Sequence, residues 1–81
     1  MNTFKKLFEK ANTAWIVTKD NHVFAADGTK LPLGDVLKGV KQRRKDYIAF
    51  VWDTENDARF ILNQAETVAK VKGLTLEQIP V

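Results

Sequence analysis

The sequence predicts an α+β fold: a small two-layer sandwich, element order α-β-β-(β)-α-β-α-(β), with a mostly antiparallel sheet covered by helices. Three observations carry this expectation. Apolar residues recur at the helical period in three separate stretches, the longest over residues 58–69. Between these stretches lie short runs of β-branched and aromatic residues, punctuated by the turn dipeptides Asp20-Asn21 and Asp27-Gly28. Finally, 81 residues leave room for one domain, 1–81, and 44% hydrophobic residues with eight aromatics suffice for one core.

Asn2 or Thr3 can cap a first helix in which Phe4, Leu7, Phe8 and Ala11 share a face, with Lys5, Lys6, Glu9 and Lys10 outward. Residues 13–18 (TAWIVT) read as a strand with Trp15 and Val17 on one side and Ala14 and Ile16 on the other. Lys19-Asp20-Asn21 turns the chain, so residues 22–26 return antiparallel. Asp27-Gly28 is the strongest turn signal, and residues 29–33 form a brief third strand limited by Pro32. A second helix opens at Gly34 or Asp35 and runs to about Arg44. It turns Leu33, Val36, Leu37 and Val40 inward and Lys38, Lys41 and Lys45 outward.

Residues 47–52 (YIAFVW) form an uninterrupted apolar run, too short for a helix of its own, and are expected to be the central strand. Thr54-Glu55-Asn56-Asp57 has the form of a capping box, with Asp57 in place of the usual Glu. The helix it opens carries Ala58, Ile61, Leu62, Ala65, Val68 and Ala69 on a core-facing stripe and runs toward Gly73, a C-terminal cap. Arg59, Asn63, Glu66 and Lys70 make a solvated face, with Glu66 and Lys70 spaced for an i,i+4 pair. Residues 74–81 are a last strand that Pro80 confines to a sheet edge.

Composition narrows the function classes. With no Cys, no Ser and one His, the chain has neither a disulfide framework nor a Ser-His or Cys-His nucleophile pair. It carries no phosphate-loop, dinucleotide-fold or zincin pattern. The longest apolar run is six residues, which excludes a spanning helix, and the N-terminal stretch lacks the apolar core of a signal peptide. A cytoplasmic location, no cofactor and no membrane partner are the resulting expectations. The net charge of +3 is uneven: residues 1–52 carry 10 basic and 5 acidic side chains, residues 53–81 carry 3 and 5.

Four sets of residues are candidates for function. Phe60, Gln64, Thr67 and Val71 form a third line on the long helix, nearly opposite the core stripe. They serve either as the seat of the first helix or as a contact surface for another chain, a homodimer included. Lys38, Lys41, Arg43, Arg44 and Lys45 form a basic ridge suited to phosphates or an acidic protein, and equally to solvation and the helix dipole. Asp53, Glu55 and Asp57 could hold a magnesium ion, although helix capping accounts for all three. His22, beside Asp20, reads as a surface histidine rather than a ligand, since a metal site needs several convergent donors.

Residues 45–52 (KDYIAFVW) resemble the aromatic strand with which RNA-recognition motifs stack bases. Asp46 stands where that family has glycine, Ile48 where it has a small residue and Ala49 where it has an aromatic. The element order also differs, so no functional residue is carried over, and Tyr47, Phe50 and Trp52 are read as sheet or core residues.

The combined expectation is a small non-enzymatic regulatory or inhibitor-type protein that binds a protein partner. Its type is common among phage and plasmid accessory proteins. The alternatives are a nucleic-acid-binding module on the basic ridge and, more remotely, a metal-dependent enzyme on the three carboxylates.

Overall fold

The computed structural model of the protein describes residues 13–42 and 44–80. Strand β1, Thr13–Lys19, is the axis of the molecule. It leads through Asp20 and Asn21, both at positive φ (50° and 62°), into β2, His22–Phe24. Two successive left-handed residues match the right-handed twist of a hairpin, and Asp and Asn tolerate that conformation better than other non-glycine residues. Residues 25–29 then turn the chain into β3, Lys30–Pro32. Here Gly28 supplies a φ of 87°, and an Asp27 carboxylate oxygen accepts the Thr29 N–H at 3.0 Å, which holds the Asp27 carboxyl below its ordinary pKa.

The sheet has the order β3-β2-β1-β4, all antiparallel, with β4 comprising Thr75–Pro80. β1 and β4 pair along their whole length, from Thr13 opposite Pro80 to Thr18 opposite Thr75. Thr18, a buried polar residue, is satisfied through its hydroxyl, 3.0 Å from that of Thr75. Pro80 lies on an edge strand, where its missing N–H costs no ladder bond.

Helix α1, Leu33–Lys41, and helix α2, Glu55–Val68, cover opposite faces of this sheet. The alternation along β1 decides this. Ala14 and Ile16 pack with Val36 and Val40 of α1, while Val17 packs with Ala58, Ile61 and Ala65 of α2. Cross-strand partners agree: Ile79 opposite Ala14 joins the first cluster, and Leu76 opposite Val17 packs against the second. The arrangement is therefore helix, sheet, helix rather than the two layers the sequence suggests. A strand buried on both faces reads as a nearly continuous apolar run, as AWIV does in β1.

The largest departure concerns residues 47–52. They are not a central strand: Lys45–Phe50 winds as a 3₁₀ helix, and only Trp52 pairs, through two 2.8 Å backbone bonds with Trp15. The 3₁₀ winding puts Tyr47 and Phe50 on one line at i,i+3, and both join the first cluster together with Val51. A Cβ at Gly39 of α1 would overlap the Tyr47 ring, so the glycine is what lets the aromatic lie against the helix. Arg44 adds a contact from above, 5.8 Å from the Tyr47 ring centroid, and pairs with Asp46 at 3.0 Å. The aromatic strand needed for the likeness to RNA-recognition motifs is thus absent at this position.

The first helix expected over residues 4–11 lies outside the described residues. Among the described residues, no helix is long and apolar enough to cross a membrane.

Candidate protein-docking face

Helix α2 starts where the capping residues place it: the Thr54 hydroxyl accepts the Asp57 N–H at 3.1 Å. Glu55 and Asp57 lie at its positive end, and Glu55 pairs with Arg59 one turn on. The helix ends at Val68, earlier than its sequence suggests. Ala69 is the cap residue and Lys70 takes the left-handed conformation at φ 58°, while the Ala65 carbonyl accepts from both Ala69 and Val71 N–H groups. Gly73, the expected cap, instead uses its positive φ of 80° in the loop before β4. Glu66 and Lys70 are accordingly not one helical turn apart, and the i,i+4 pair that forms is Glu55 with Arg59.

This end point redistributes the candidate residues. Ala58, Ile61 and Ala65 are buried, with Leu62 half-buried beside them. Phe60 points outward, 61% exposed, with Gln64 half-buried and Thr67 exposed on the same side. Val71 does not extend the line, because it lies beyond the helix and packs against the second cluster. Val68, expected in the core stripe, is 64% exposed. At about 100° per residue, Asn56, Asp57, Asn63, Gln64 and Thr67 fall within about 60° of Phe60, and Val68 lies about 80° away. The outward face is therefore an aromatic ring and a valine among uncharged amides and a hydroxyl. Asp57, in the first turn, is the one charge within it, and Arg59 and Glu66 stand at the margins, about 100° and 120° from Phe60. Val68 was legible as a surface residue only to a reading that stopped the helix before Lys70.

The basic ridge is more dispersed than its sequence suggests. Lys38 and Lys41 sit exposed in the last turn of α1, where they complement the helix dipole, and Lys45 is exposed at the start of the 3₁₀ segment. Arg44 is engaged by Asp46 and the Tyr47 ring, and Arg43 lies outside the described residues. The ridge borders the sheet face opposite to α2.

Asp53, Glu55 and Asp57 do not converge. Among the described residues, no three His, Asp or Glu side chains are grouped closely enough to hold a metal ion. His22 is tied to its own turn, its Nδ1 lying 2.8 Å from the Asp20 carbonyl oxygen.

Comparison with models of known protein families, with curated proteins and with solved structures finds no match to this chain.

Proposed function

We propose that the chain is a non-enzymatic protein-binding module whose contact surface is the outer face of α2, and that it regulates or inhibits the protein it docks on. The observation that carries this reading is the pair Phe60 and Val68, the large hydrophobic residues exposed among the described residues. A helix face directed at water ordinarily carries charges. This one carries an exposed aromatic among amides and a hydroxyl, with Asp57 as its single charge, and depletion of charge around an aromatic is the mark of a protein interface core. The occupant we favour is a different protein presenting an apolar stripe with basic margins. On the helix Asp57 and Glu66 outnumber Arg59 in and beside the face, so two copies of it would bring like charges together, whereas a basic rim is matched.

The test is capture of a defined protein by the tagged full chain at ~300 mM salt after nuclease treatment, where electrostatic nucleic-acid complexes weaken strongly. Phe60→Asp is expected to weaken that complex at least about thirtyfold, the size of an interface hot spot. It should leave the melting temperature within the small range of surface substitutions. Val71→Asp should instead lower the melting temperature, since Val71 packs against the second cluster. Capture that ignores Phe60→Asp, or a dimer of this chain that the substitution dissolves, would refute the assignment of the partner.

Exposed Lys38, Lys41 and Lys45 support a second reading, contact with nucleic-acid phosphates. Reversing all three to Glu should then abolish binding and flatten its salt dependence.

A further inference from the structure

At the end of the molecule formed by the β1–β2 turn, the turn of residues 25–29 and the loop after α2, an open groove of about 290 Å³ remains unused by the docking face. Its floor is apolar, made by Phe24, which is 6% exposed, and by Val71. Gly28 forms a wall, held against the end of α2 so closely that a Cβ there would overlap that of Ala69. The rim carries Lys19, Lys30, His22 and Asp20.

The chemistry of this rim is one-sided. The ion pairs among the described residues are Arg44 with Asp46 and Arg59 with Glu55, so neither Lys19 nor Lys30 is neutralised by one. Beyond the lining, exposed Lys70 and Lys72 flank Val71 in sequence and exposed Asp27 flanks Gly28, which leaves the surroundings net positive. Asp20 is the single carboxylate of the rim. A carbonyl oxygen only accepts, so His22 Nδ1 carries the hydrogen shared with the Asp20 carbonyl, and Nε2 is the ring atom left for a ligand. Lysines at a solvated surface need no concavity. Two of them around a buried aromatic and a valine suit a molecule that is anionic at one end and flat and apolar at the other. The volume lies near the lower end of small-molecule sites, and an excess of ammonium groups over carboxylates matches a dianion better than a monoanion.

We infer that this groove binds a small organic phosphate, the phosphate between Lys19 and Lys30 and a planar apolar part over Phe24 and Val71. The inference is independent of the docking face on α2.

Titration of the isotopically labelled full chain with phenyl phosphate, inorganic phosphate and phenol, followed by NMR, tests it. Phenyl phosphate should shift the Gly28 amide, the His22 ring and the Val71 methyl groups saturably, at a concentration at least about tenfold below either fragment. The Lys19→Gln/Lys30→Gln double variant should raise that concentration about tenfold or more while its melting temperature and its response to phenol stay unchanged. Phe60→Asp should leave the titration as it is. The proposal is overturned by equal responses to phenyl phosphate and inorganic phosphate, by parallel shifts at Lys38 and Lys41 that mark diffuse attraction, by an unaffected double variant, or by no saturable shift.

Discussion

Gly39 and Tyr47 show how one missing side chain shapes the core. In a helix interior, glycine costs about 1 kcal/mol relative to alanine, so Gly39→Ala would stabilise α1 in isolation. Here the added methyl meets the Tyr47 ring, and overpacking of this kind costs about 1–3 kcal/mol. The second effect is the larger, so Gly39→Ala should lower the melting temperature by roughly 4–8 °C, the shift expected per kcal/mol in a domain of this size. A raised melting temperature would mean that the ring is free to move aside. The same attention to single positions explains which site residues were legible in the sequence. Phe60 stood out because an aromatic opposite an apolar stripe breaks the helical pattern. Val68 is exposed and Val71 packed, the reverse of what the sequence suggests, because the end of the helix rests on Lys70, a residue with no compositional mark for positive φ, and not on Gly73.

The β1–β2 hairpin and the Thr54 cap carry short-range chemistry, and they were readable for that reason. Thr54 is a case where one side-chain oxygen fixes where an element begins. Thr54→Ala should cost about 1 kcal/mol and speed hydrogen exchange at the Asp57 amide, whose partner it removes, while Thr54→Ser should restore both. The segment Lys45–Phe50 was not readable in the same way. The six apolar residues 47–52, which overlap it, satisfy a buried strand and a tightly wound turn equally well, and their neighbours elsewhere in the chain decide between them. The place beside β1 is divided along its length: β2 pairs at Thr18 and Lys19, and Trp52 pairs at Trp15. A single rung suffices there, and the preceding residues serve better as a plug between α1 and the sheet.

Two hydrophobic clusters lie on either side of one sheet, and β1 contributes to both. Neither can dissolve without exposing the other through that strand, so a single cooperative transition is expected. Both tryptophans, Trp15 and Trp52, pack against the α2 cluster, whereas Val36 belongs to the α1 cluster. Val36→Ala, a truncation costing roughly 1.5–3 kcal/mol, should therefore shift the tryptophan-fluorescence melt by as much as the circular-dichroism melt. Separation of the two curves would reveal two independent halves. This three-layer organisation was hidden in the sequence because strand alternation shows which residues share a face but not which helix covers it.

The pairing of Thr13 with Pro80 has a mechanical consequence. Strands β1 and β4 run antiparallel, so a force drawing residues 13 and 80 apart loads their shared end first. Hydrogen-bonded pairs then open one at a time toward Thr18 and Thr75 instead of shearing together. Once β4 has peeled away, one edge of β1 is bare. A protein that melts as one unit in heat would thus unzip progressively under tension, yielding at forces far below those its equilibrium stability suggests.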